Sequence, residues 1–317
     1  MTVRRLASGV RRLPGSPAAG CRCGRAVAQP TARPLSAGAA GLELSSQHLL
    51  EGASGEPVLV MHGLLGNKMN WRSLFRADPL AQLDRDVIVA DARNHGISPH
   101  AAEMSYDAMV DDTLRLLDAH AIERVAAVGH SMGGKTAMHL ALRAPERVSR
   151  LVVCDIAPVT YTGEAGPSDR SDSTFIDVFT AMDGLDLASL KSRGQADEAL
   201  TAAIPADGLR AFVLTNLKMQ GKGKERKLEW RCNLPALQAN VANIMAFPAT
   251  PTTAPYPGPT LFIGGADSNY ISAKHTDAIE RLFPKASVTH VAGAGHFVHV
   301  DQPAAVCELI ADFIQEP

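Results

Sequence analysis

A serine flanked at two residues' distance by glycines, Gly129-His130-Ser131-Met132-Gly133, follows the apolar run Val125-Ala126-Ala127-Val128 and opens a helical pattern from Met132 to Ala144. On so tight a strand-to-helix turn the hydroxyl stands above the sheet, and side chains at either flanking position would collide, so both must be glycine. The chemistry this arrangement serves is nucleophilic attack on a carbonyl. A hydroxyl is a poor nucleophile at neutral pH; it needs a base, and the base needs an orienting acid. His296, in the turn Gly293-Ala294-Gly295-His296, is the expected base, with His299 three residues on as the alternative. The acid is open: Asp155 follows the run Leu151-Val152-Val153-Cys154, and Asp267 follows Thr260-Leu261-Phe262-Ile263. Either carboxylate could reach the same imidazole. The oxyanion formed on attack needs backbone donors. The N–H of Met132 is one, and the turn His62-Gly63-Leu64-Leu65-Gly66 offers the N–H of Leu64 as the second. His62 reads as the residue that pins this loop. In Asp91-Ala92-Arg93-Asn94-His95-Gly96, Arg93 and Asn94 are expected to hold the oxyanion loop and the site wall by hydrogen bonds.

The elements that must position these groups are legible as short apolar runs alternating with amphipathic helices. Val58–Met61, Val87–Ala90, Val125–Val128, Leu151–Cys154, Thr260–Ile263 and Val288–Val291 read as strands, and Tyr106 to His120 and Ala304 to Ile314 as helices. Continuous apolar runs of this length are strands buried on both faces, hence an α/β protein with a mostly parallel sheet flanked by helices. Ligands in such sheets bind at the carboxyl ends of the strands, and each chemical residue above lies just after one. Residues 156–257 break the alternation. Helical patterns at Phe175 to Met182, Ala196 to Ile204 and Leu209 to Leu217 have no strands between them, Gly221 to Lys227 reads as a solvated loop and Pro248 to Pro259 as a linker. This block is a helical cap inserted over the site, and Phe175, Phe179, Met182, Leu217, Met219 and Trp230 are either the walls of an apolar acyl pocket or the cap's own core.

Residues 1–42 form a leader apart from the domain at 43–317: they carry seven arginines and no Asp or Glu. An Arg-rich, acid-free segment without an apolar core has the composition of a mitochondrial transit peptide. The net charge of −2 gives no nucleic-acid footprint. The five cysteines lack metal-ligand spacing and suggest neither a zinc site nor a disulfide framework. No apolar run is long enough for a transmembrane helix, and no phosphate-binding loop is present. The expected chemistry needs no cofactor and no metal.

Taken together, His62 to Gly66, Asp91 to Gly96, Gly129 to Met138 and Asp155-Ile156-Ala157-Pro158-Val159, with Leu214 to Leu217 and Trp230 to Leu234 in the cap, resemble the abhydrolase domain-containing protein 11 family of the α/β-hydrolases and its bacterial YbfF-type relatives. The resemblance implies the α/β-hydrolase fold and a serine esterase or lipase-like hydrolase of the mitochondrial matrix, with acyl esters such as diacylglycerol lipids or thioesters as substrates. It also implies a link to the 2-oxoglutarate dehydrogenase complex. In the bacterial relatives the acid is the aspartate matching Asp155, and some members have Asn at the position of Asp267, followed by a serine that corresponds to Ser268. This chain keeps an aspartate at 267, so both carboxylates stand as candidates that could share the work. An acid assigned in animal members just after the cap's Asn-Leu pair falls here on Pro235 and cannot serve. The competing class is a binding protein of the same fold that holds a partner without turnover.

Overall fold

A computed structural model describes residues 41–50, 53–162, 174–221 and 226–316. The leader, apart from its last two residues, lies outside them. Seven strands form one sheet in the order β1-β3-β2-β4-β5-β8-β9: β1 (Ser46–His48), β2 (Gly55–Met61), β3 (Arg85–Ala90), β4 (Val125–His130), β5 (Val148–Cys154), β8 (Thr260–Gly265) and β9 (Ala286–Val291). All neighbouring pairs are parallel except β1 against β3. β1 is polar and only three residues long, which is why no apolar run announces it.

Alternate residues of each strand face opposite layers. Leu59, Ile88, Ala127, Leu151, Val153 and Phe262 pack with α1 (Tyr106–Ala119), α2 (Met132–Arg143) and α8 (Thr276–Leu282). Val58, Val60, Val87, Ala126, Val152 and Leu261 pack on the other face, with Trp71, Phe75 and α10 (Pro303–Gln315). Both faces are thus buried, as the continuous apolar runs require. Helix α1 starts where Ser105 accepts from the Ala108 N–H. Helix α10 starts at Pro303, whose missing N–H costs nothing at a first helical position. The short α9 (Val298–Asp301) links the site's last turn to α10.

Between β5 and β8 lies the cap: α3 (Phe175–Asp183), α4 (Arg193–Leu200), α5 (Asp207–Val213), α6 (Leu234–Ala239) and α7 (Val241–Met245). The expectation of helices alone is corrected here. β6 (Leu217–Gln220) and β7 (Lys227–Trp230) form an antiparallel pair; of the polar stretch read as a solvated loop, Lys227 opens β7 and residues 222–225 lie outside the described residues. The four-residue strands are too short to show a periodicity against the helices beside them. The packed domain also begins earlier than residue 43: the Leu42 N–H donates to Asp112, and a side chain at Gly41 would stand 2.3 Å from the Asp111 carbonyl oxygen.

Candidate active site

Ser131 sits between β4 and α2 at φ 51° and ψ −118°, a conformation that L-residues rarely adopt. The turn is held by the Ser131 N–H on the Cys154 carbonyl and by the Lys135 N–H on the Ser131 carbonyl. The glycines are required by contact. A Cβ at Gly129 would lie 2.3 Å from the Gly133 carbonyl oxygen, and one at Gly133 would lie 2.3 Å from that of Met61.

His296 lies against this serine: Nε2 is 3.0 Å from Ser131 Oγ and Nδ1 is 2.8 Å from Asp155 Oδ2. A carboxylate only accepts, so the ring carries its proton on Nδ1 and presents a lone pair to the hydroxyl. The histidine is 2% exposed and Asp155 is fully buried. Tyr270 stacks on the imidazole, with ring centroids 4.1 Å apart. Asp155 takes a positive φ of 48°, which turns its side chain back across the strand ends. There it accepts from the Gly265 N–H at 2.9 Å and from the Ser268 hydroxyl at 2.5 Å. Ser268 therefore supports the acid rather than the histidine. Asp267 is exposed, and its N–H donates to the Ala294 carbonyl. Both nitrogens of His296 are already engaged, by Ser131 and Asp155, so the structure brings these three residues together and leaves no ring nitrogen for Asp267. His299 turns the other way and stacks on Trp71 at 4.4 Å, with burial holding its pKa down to about 3.

The loop after β2 approaches the serine through Gly63, where a Cβ would lie 3.3 Å from that of Ser131. Leu64 and Met132 line the cleft with Ser131. Met132 opens α2, so its N–H has no carbonyl within the helix. His62 donates from Nδ1 to the Gly63 carbonyl and accepts on Nε2 from the Ala92 N–H, which pins the loop as expected. Burial lowers its pKa, as a neutral acceptor requires. The expectation for Arg93 and Asn94 needs correction. Arg93 forks onto Asp112 at 2.7 Å and donates to the Glu103 and Ala108 carbonyls, so it anchors the start of α1. Asn94 accepts from Ala101 N–H and from the Asn233 amide, so it ties the cap to the core. The oxyanion loop is held instead by His95, which accepts from the Leu65 N–H at 3.1 Å, and by the cap's Asn216, which donates to the Leu65 carbonyl at 2.6 Å. Burial puts the His95 pKa at about 3, so it stays an acceptor. Sequence spacing carries no trace of the Asn216 contact, which spans 151 positions.

The cleft in front of Ser131 is walled by Leu64, Met132, Phe175, Ile244 and Met245, with Lys135 among its lining residues. Of the six cap residues weighed as acyl-pocket walls, only Phe175 lines it. Phe179, Met182 and Leu217 belong to the cap's own core, Trp230 packs against that core and donates to the Met182 carbonyl, and Met219 is exposed. Lys135 was missed, although its position four residues after Ser131 on α2 puts it on the serine's side of that helix.

The sequence profile of the α/β-hydrolase fold family matches residues 56–303. The sn-1-specific diacylglycerol lipase ABHD11 of Mus musculus is 40% identical over 85% of this chain and 84% of its own. Esterase YbfF of Escherichia coli is 33% identical over 87% of this chain and 99% of its own. Among solved structures, a marine microorganism esterase superposes with a TM-score of 0.78 at 34% identity, over 86% of this chain and all of its own.

Proposed function

The chain belongs to the α/β-hydrolase family, among its carboxylic ester hydrolases of the abhydrolase domain-containing protein 11 branch, and from that premise we propose that Ser131, His296 and Asp155 carry its chemistry. The observation behind this reading is the His296 ring, which spans Ser131 Oγ and Asp155 Oδ2 at hydrogen-bond distance on both sides. Ser131 Oγ attacks the ester carbonyl while Nε2 takes its proton. The imidazolium is stabilised by the Asp155 carboxylate and returns the proton to the departing alcohol. Water then repeats the sequence on the acyl-enzyme. The Leu64 and Met132 N–H groups receive the oxyanion, each donor contributing about 2.7–4 kcal/mol. Acyl esters of lipids, as in the diacylglycerol lipase of the mouse relative, are the substrate class, with thioesters as chemical equivalents at the same carbonyl. The Arg-rich, acid-free leader supports a place in the mitochondrial matrix.

The test is labelling of the purified chain by a fluorophosphonate serine probe, with p-nitrophenyl butyrate hydrolysis in parallel. Labelling and turnover are both expected, and both are lost in Ser131→Ala and His296→Ala. A folded protein that neither labels nor cleaves, in a cell where Ser131→Ala keeps its biological role, would instead favour a partner-holding function such as one at a 2-oxoacid dehydrogenase complex.

A further inference from the structure

Tyr270 follows β8 and lays its ring on the His296 imidazole, with the centroids 4.1 Å apart and the planes 27° from parallel. Phe297 and His130 also lie beside that imidazole, at 5.5 and 4.8 Å, but they are inclined to it by 64° and 44°. Tyr270 and His296 are both buried. The tyrosine is held through its backbone on both sides. Its N–H donates to Ser268 Oγ at 3.2 Å, and the Ser268 hydroxyl donates in turn to Asp155. The Tyr161 hydroxyl donates to its carbonyl at 2.6 Å and accepts from the Ala157 N–H at 2.9 Å. The Tyr161 ring packs against it, centroids 5.1 Å apart. The network that places the acid therefore also places the ring that covers the base.

When Nε2 takes the Ser131 proton, the imidazole becomes a buried cation, which is costly unless its charge is met. Asp155 meets it in the plane of the ring, at Nδ1. Tyr270 meets it from above. The face of an aromatic ring carries negative charge density and attracts a cation within about 6 Å of its centroid, most strongly where both are desolvated. The neutral imidazole gains nothing from this attraction. A contact that strengthens only as the charge forms lowers the barrier and leaves substrate binding unchanged.

We propose that Tyr270 is a further catalytic residue, whose π face stabilises the His296 imidazolium by a cation–π contact. It acts twice in each turnover: when Ser131 Oγ gives its proton to Nε2, and when the water that attacks the acyl-enzyme does the same. The tyrosine exchanges no atom and no proton. The proton on Nε2 passes to the leaving group in the first half of the cycle and back to Ser131 Oγ in the second. This rests on the serine hydrolase reading above.

The test is a graded change in the charge of the ring face at constant shape. Tyr270→Phe keeps the face and should hold kcat for p-nitrophenyl butyrate within about threefold of the unmodified chain, whereas Tyr270→Leu should lower it about thirtyfold, the worth of a desolvated cation–π contact. Phenylalanines carrying one, two and three fluorines are then placed at this position by stop-codon suppression. Each fluorine draws charge from the face and barely alters the ring's size. From Phe to the trifluoro ring kcat should fall stepwise by about tenfold in all. Acylation and deacylation both pass through the imidazolium, so kcat and kcat/KM should fall together while KM stays level. Thermal melts verify that each variant is folded. A purely structural ring would leave kcat flat across the fluorinated series. That result, or a loss in Tyr270→Phe as large as in Tyr270→Leu, or an effect carried by KM, overturns the role of Tyr270 alone in a chain that hydrolyses the ester. An unmodified chain that neither hydrolyses it nor takes the fluorophosphonate label overturns the hydrolase reading, and the role of Tyr270 with it.

Discussion

Replacing Asp155 by Asn keeps the size and shape of the side chain and removes its charge. The amide oxygen can still accept from the Gly265 N–H, and the Ser268 hydroxyl can rotate to accept instead of donate. The change falls on the third contact. In the native protein Oδ2 accepts from His296 Nδ1 at 2.8 Å, which leaves Nε2 unprotonated 3.0 Å from Ser131 Oγ. An amide NH2 at that place donates to Nδ1, so the ring proton moves to Nε2 and the base faces its nucleophile with an N–H. Loss of the correct tautomer and of the charge facing the imidazolium amounts to about 10⁴ in kcat in a serine protease triad, or about 5.4 kcal/mol of barrier. The same order is expected for Asp155→Asn, with KM little changed. Asp267→Asn, at an exposed residue, should change kcat by less than about threefold. Steady-state p-nitrophenyl butyrate hydrolysis decides it, with thermal melts to verify folding. An Asp267→Asn loss as large as that of Asp155→Asn, or more than about a tenth of native kcat left in Asp155→Asn, would refute the reasoning.

Asn216→Ala removes the cap's donor to the Leu65 carbonyl and should lower kcat about tenfold with a smaller change in KM, since the loop it steadies matters most when the oxyanion forms; an effect confined to KM would count against this. Arg93→Leu leaves the buried Asp112 carboxylate without its partner and should cost about 3–5 kcal/mol in urea unfolding, largely recovered in Arg93→Leu with Asp112→Leu; a double variant no more stable than the single one would contradict that account. His95 and His299 each have a folded pKa lowered to about 3, so stability is full above the unfolded value of about 6.5 and is lost as pH falls toward 3. Between about pH 6.5 and about pH 5 each should cost about 2 kcal/mol, and His299→Phe should remove one such share from the pH dependence of the urea midpoint; an unchanged dependence would show that the ring is not buried as described.

What the sequence made legible is what local spacing enforces. Gly129 is dictated by a contact of 2.3 Å within the turn itself and Gly133 by one of 2.3 Å to the Met61 carbonyl oxygen on the neighbouring strand, and together they leave the glycine spacing that marks the turn in the sequence. The acid stayed open because β5 and β8 are neighbours, with Cys154 opposite Ile263, so both strands deliver an aspartate to the same edge. The choice between them rests on a positive φ at Asp155 and on which side chain is buried, and neither is written in the order of residues. The roles of Arg93, Asn94 and Asn216 were misread or missed for a related reason. Their partners lie on other elements, and a polar residue in a loop gives no hint of which carbonyl it will meet.

The contacts that Asn216 and Asn233 make between cap and core bear on how such proteins can be recombined. The cap stands between β5 and β8 like a cassette, and exchanging it for another hydrolase's cap is an obvious route to new selectivity. Yet Asn216 holds the loop that carries Leu64, and Asn233 meets Asn94 by side chain and by main chain. A grafted cap without amides at those two places would arrive with its own pocket and leave the host's catalytic loop slack. The unit of exchange is therefore the cap together with the amides that fasten it.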